Sequence, residues 1–246
     1  MLATDRCGRN RERDTRGMPR IADMNPRARL LLLSLVLAAI PMAQAAPVQY
    51  ALDPVHTRVL FSIDHAGFSK ALGTVSGSEG SLRFDPEDWQ AARLDVSVPL
   101  TRLDLGDAKW NQAVLARNLL DGERFPQAHF VSTRVEPIDA QHAKVYGTLT
   151  LHGVSQEIAL DVTLNQLKRH PLPPFHRTAG FSATTTISRA AFGIDAWKSV
   201  IGDEVQLRIE AEAIRQGKAE EDAEPESAPA SDSPTSSAAP AKEATP

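Results

Sequence analysis

The sequence predicts one all-β domain of the barrel or sandwich kind, on three observations. Between Tyr50 and Ile214, apolar and polar residues alternate with a period of two in segment after segment, as in strands with one buried and one wet face. Turn signals separate these segments, at Asp85-Pro86, Pro99, Pro126, Pro137 and His152-Gly153. Several strands at such spacing favour a barrel or sandwich over βαβ units; Asp107 to Leu120 is the exception to alternation, with a second short irregular piece from Arg189 to Ile194.

Ahead of the domain, Met24 to Arg29 is short and basic and precedes the apolar run Leu30 to Ile40, the n-region and h-region of an export signal. Ala43-Gln44-Ala45 puts small residues where a signal peptidase reads, so residues 1–45 are expected to be leader, with cleavage after Ala45. The run Leu30 to Ile40 is much shorter than the roughly 20 residues that span a hydrocarbon core. Residues Met1 to Asp23 are Arg-rich and without apolar periodicity, and Met1, Met18 and Met24 all stand as starts. The expected location is periplasmic or secreted.

The only cysteine, Cys7, falls in the leader. The mature chain then has no thiol, disulfide or thiolate metal site, and an apolar core must stabilise the domain. Residues 46–215 are close to neutral in total charge, which excludes a polybasic nucleic-acid footprint. Residues 216–246 are acidic and rich in Ala, Pro, Ser and Glu, a composition that reads as a disordered tail.

Within the domain, Val59, Phe61, Ile63 and His65 share one strand face, with Arg58, Ser62 and Asp64 opposite. Leu94, Val96, Val98 and Leu100 form a second stripe, and Val154, Ile158, Leu160, Val162 and Leu164 a third. Val205, Leu207, Ile209 and Ala211 make a fourth, and Phe181, Ala183, Thr185 and Ile187 a weaker fifth. Asp107 to Leu120 carries Trp110, Val114, Leu115 and Leu119 at helical spacing with Asp107 as cap, and predicts a short helix across one end, with a break near Asn118. Lys168 to Arg177, with Pro171, Pro173 and Pro174, predicts a loop.

No nucleophile-elbow, zinc-protease, phosphate-loop or dinucleotide glycine motif occurs after Ala46. The expectation is a protein that is not an enzyme, with no catalytic residue and no metal. His56 and His65 flank one strand, roughly 30 Å apart if it is extended, so they do not share an ion. His65 reads as a core or rim histidine before it reads as a polar handle in a cavity, and His152 reads as a turn residue. A barrel of about eight strands either fills its interior or holds one small ligand; the stripes alone slightly favour a filled core.

The run "YALDPVHTRVLFSIDHAGF" resembles the opening signature of the YceI family of exported polyisoprenoid-binding proteins. "GSLRFDP", "FPQAHFVST", "YGTLTLHGVSQEIAL", "GFSATTTISRAAFGI" and "DEVQLRIEAEA" follow in the family's order, from about Val48 to Ile214. The resemblance implies an eight-stranded antiparallel lipocalin-like barrel with a short helix covering one end. It implies a tunnel for an isoprenoid chain, such as an isoprenoid quinone tail, and no cofactor besides that ligand. Where the family usually carries a His-Leu pair, this chain has Trp110-Asn111, a change at the mouth.

Strand phase and the family barrel together place Phe61, Ile63, His65, Phe68, Val96 and Val98 in the ligand-binding wall. Leu115, Leu119, Phe130, Leu149, Leu151, Phe181 and Phe192 join them, with Trp110 as a lid residue. The expected partner is a polyisoprenoid lipid, with transient membrane or quinone-enzyme contact and a homodimer left open. Two other functions compete: a redox accessory to a membrane quinone and cytochrome system, its quinone head held by His65 or His129, and a stress-related structural protein with a filled barrel.

Overall fold

A computed structural model describes residues 48–217; the leader and cleavage site expected over residues 1–45, and the tail beyond Gly217, lie outside the described residues. The strands are β1 (Val48–Leu52), β2 (Arg58–His65), β3 (Ser69–Ser76), β4 (Glu79–Phe84), β5 (Arg93–Pro99), β6 (Leu103–Asp104), β7 (Gln127–Pro137), β8 (His142–Leu151), β9 (Val154–Arg169), β10 (Arg177–Ser188) and β11 (Ile201–Arg215), with one α-helix, α1 (Ala108–Leu115). All neighbouring strands pair antiparallel in the order β1-β4-β5-β7-β8-β9-β10-β11-β2-β3-β6. The long strand β11 meets β2 at Glu210↔Arg58 and β1 at Leu52↔Ala213, so it closes the sheet on itself.

Three pairs of short strands are halves of single staves: β1 with β2, β3 with β4, and β5 with β6. Counted that way, the sheet is a closed eight-stranded antiparallel barrel with one short helix. The break in each stave is a change of phase. Tyr50 and Leu52 point inward on even numbers, whereas Val59, Phe61 and Ile63 do so on odd ones; Ala71 and Val75 switch to Leu82 and Phe84, and Val96 and Val98 to Leu103 and Leu105. Asp53–Thr57, Gly77-Ser78 and the 3-10 turn Leu100–Arg102 absorb the switches side by side. Gly77 does so at φ +76, a conformation that favours glycine.

One end of the barrel carries the 66–68 turn, α1, the β8–β9 hairpin and the 189–200 connection. His152 (φ 53) and Gly153 (φ 76) form that hairpin's two-residue turn, the left-handed pair that matches strand twist. At the other end the 3-10 turn Trp89–Ala91 packs inward. There Phe84 meets Trp89 edge-on at 5.0 Å and Phe181 at 5.4 Å. Phe84 is 1% exposed and Trp89 6%, so this end is closed.

Helix α1 stops a turn earlier than the helical spacing predicts. Ala116 is already extended, and the amides of Leu119, Leu120 and Gly122 turn back onto the carbonyls of Ala116, Val114 and Leu115. This fold-back turns Leu119 and Leu120 toward the interior.

Candidate functional site

The barrel is hollow. A cavity of about 760 Å³ runs inside it from Phe84 and Trp89 at the closed end to Trp110, Trp197 and Val200 at the other, a volume typical of small-molecule sites. Inward residues such as Phe61, Ile63, Val96, Val98, Leu207 and Ile209 are only partly buried because they face this space. The filled core that the stripes alone favour is therefore corrected: small inward residues, Ala183, Ala128, Gly73 and Gly147 among them, leave the centre open.

All but three of the residues expected in the wall line the cavity. Phe61, Ile63 and His65 come from β2, Val96 and Val98 from β5, and Phe130 from β7. Leu149 and Leu151 come from β8 and Phe181 from β10; Trp110 and Leu119 lie over the mouth. Phe68 is a correction: it sits in the 66–68 turn, where the strand phase has ended, and is 93% exposed. Leu115 leans on Gly122 in the fold-back after α1, and Phe192, 1% exposed on its 3-10 turn, packs behind the wall.

The expected set omits residues that strand phase already offers, such as Leu160, Leu207 and Ile209, and two that it does not. Thr57 (2% exposed) and Ser78 (1%) lie in the wall at the phase switches. Thr57 Oγ1, Ser78 Oγ and Trp89 Nε1 have no hydrogen-bond partner among the described residues.

The mouth combines apolar and polar groups. His65 and Trp110 rings lie 5.7 Å apart. Arg189, 5% exposed, donates from its guanidinium to the carbonyls of Gly202 (2.8 Å), Ile194 (2.7 Å) and Ile201 (2.9 Å) and so ties the 189–200 connection to β11. His129 does not join them. Its phase is outward, where Nε2 lies 2.7 Å from Asp95, so of the two histidines considered for a quinone head only His65 lines the tunnel.

On the outer surface, Asp53, His56 and Glu212 are the one trio of potential metal ligands among the described residues, their ligand atoms within 4.8 Å of one another. Asp53 also organises the turn, accepting from the Val55 amide at 2.7 Å and from His56 Nδ1 at 2.7 Å. Burial pushes the Asp53 carboxyl up, but the bonds from His56 and the two backbone amides outweigh it and hold it below the usual range. The same bond to Asp53 raises the His56 pKa. Nothing in this trio reaches the tunnel, and its bonds serve the turn.

Comparisons with known proteins agree with the architecture. The sequence model of the YceI-like domain matches residues 50–213. A UPF0312 protein of Pseudomonas savastanoi pv. phaseolicola is 32% identical over 167 residues, covering 67% of this chain and 86% of that one. A UPF0312 protein of Pseudomonas putida is 30% identical over 186 residues, covering 75% and 95%. Among solved structures, BcnA of Burkholderia cenocepacia superposes with TM-score 0.59 at 24% identity, over 65% of this chain and 98% of that one. A polyisoprenoid binding domain from Saccharophagus degradans, implicated in plant cell wall breakdown, gives TM-score 0.53 at 15% identity, over 69% and 99%.

Proposed function

Because this chain belongs to the YceI-like domain family, we propose that it is a binding protein whose barrel holds the chain of a polyisoprenoid lipid, such as an isoprenoid quinone tail. The observation that carries this reading is the tunnel: about 760 Å³ of interior, walled by aliphatic and aromatic side chains, closed at the Trp89 end and open beside α1. An isoprene unit withdrawn from water gains up to about 4 kcal/mol, at roughly 0.8 per carbon. Lost ligand freedom brings the net affinity well below that sum. The name of the Saccharophagus domain, polyisoprenoid binding, supports the ligand class.

On this reading the protein works in the periplasm after cleavage behind Ala45, binds rather than catalyses, and carries lipid between membranes or membrane enzymes. Its mouth supports exchange at a bilayer. Phe68, Trp110, Trp197 and Val200 stand exposed around that end, and the Ala66 amide bonds the Val200 carbonyl at 2.6 Å to join two of the rim segments. Amphipathic tryptophans of this kind suit a membrane interface.

The experiment is to express the full chain with its leader in a quinone-producing host, purify the exported protein and extract it with solvent for mass spectrometry. An isoprenoid lipid in near-equal amount is the expected result. Protein that carries none, and takes none up from vesicles, overturns the reading.

A further inference from the structure

The phase switches put two hydroxyls where packing does not ask for them. The register of β2 and β3 runs as far as Arg58↔Ser76, and Thr57 and Ser78 stand one and two residues beyond that pair. Both side chains are more than nine-tenths buried, both line the tunnel, and neither hydroxyl has a partner among the described residues. Valine and alanine would fill the same space in a wall made mostly of apolar residues, and buried polar groups are as a rule hydrogen-bonded.

Resting on the carrier reading above, we propose that Thr57 and Ser78 form a subsite within the tunnel for a neutral oxygen of the lipid, a hydroxyl or carbonyl. The polar end of the isoprenoid is then carried inside the barrel, with its hydrocarbon running along the remaining wall. Each hydroxyl both donates and accepts, so the pair serves an alcohol or a ketone equally. It does not serve a diphosphate. Two neutral hydroxyls leave buried charge uncompensated, and the buried cation of the wall, Arg189, is already engaged by the carbonyls of Ile194, Ile201 and Gly202.

The test compares delipidated wild type with the Thr57→Val/Ser78→Ala double variant, using geranylgeraniol, geranylgeranyl diphosphate and squalene, an isoprenoid without oxygen, as titrated probes. Loss of two hydrogen bonds weakens geranylgeraniol about tenfold or more, while squalene binds both proteins alike and the diphosphate binds wild type more weakly than the alcohol. The empty double variant melts above wild type, because two unpartnered buried hydroxyls are gone. Should the turn resist valine, Ser78→Ala alone carries the same comparison. Equal losses for alcohol and squalene, no loss for either, or a diphosphate bound as tightly as the alcohol overturns the subsite and leaves the carrier reading standing. Wild type that takes up no isoprenoid of any kind overturns the carrier reading and the subsite with it.

Discussion

At the scale of single residues, the Asp53–His56 pair is one place where pH acts on the fold. Held below its usual range, the Asp53 carboxyl contributes stability that is present above the ordinary carboxylate range and is lost as pH falls through its lowered pKa. The raised His56 contributes below the ordinary imidazole range, and its share fades as pH climbs through the elevated value. The pair therefore supports the β1–β2 turn best in the window between those two ranges. In an NMR titration, His56 should have a midpoint above that of an unpaired histidine, and Asp53→Asn should lower it; a midpoint indifferent to Asp53→Asn would contradict the assignment. Sterics act at the same scale on Gly80. A Cβ there would overlap the carbonyl oxygen of Asp95 and approach the Val96 Cα to 2.9 Å. Because these are backbone atoms of the paired strand, Gly80→Ala should cost about 1–3 kcal/mol, read as a lower urea midpoint.

Among the elements, α1 is the one whose stability bears on ligand traffic under the proposed function. Asp107 accepts from the amides of Lys109 (2.9 Å) and Trp110 (3.0 Å), and the Leu105 amide donates to Asn111 Oδ1 at 2.7 Å. Asp107→Ala removes the cap, worth about 1 kcal/mol, from a helix with no buried residue of its own. The expected outcome is faster amide exchange across Ala108–Leu115 and faster lipid release with the barrel's melting temperature nearly unchanged; unaltered protection would show that the Asn111 anchor alone holds the helix. Elements also mark how far the sequence could be read. β2 and the strong stripes of β9 and β11 are legible because their inward positions are large and aliphatic. β3 and β8 place Ala71, Gly73, Ala143 and Gly147 inward, which blanks the stripe, and their glycines lie under the Phe61 and Phe130 rings from neighbouring strands. Thr57 and Ser78 were illegible for a related reason: a phase switch shared by three staves depends on partners distant in sequence. The hollow interior belongs to the same class, since the inward residue types suit a filled barrel equally well.

For the whole molecule, the two ends of the tunnel are unequal, and this asymmetry carries the last prediction. At one end Phe84, Trp89 and Phe181 interlock edge to face, and opening them would break a buried aromatic cluster. At the other, a short helix and the 189–200 connection cover a mouth rimmed by Trp110 (44% exposed), Trp197 (61%) and, on the neighbouring turn, Phe68 (93%). On the proposed carrier reading, a lipid long enough to need the tunnel enters and leaves by the helix end, and the least costly passage keeps its chain out of water by setting that rim against the bilayer. Phe68 is 93% exposed and does not line the cavity, so Phe68→Ser should leave the melting temperature and equilibrium lipid affinity close to wild type. Transfer between vesicles should slow severalfold, because Phe68 lowers the barrier to exchange without contributing to the bound state. Stopped-flow transfer of a fluorescent isoprenoid separates the two quantities. A variant that transfers at the wild-type rate would place exchange in solution rather than at the membrane, while one that loses affinity and rate together would make Phe68 part of the binding site itself.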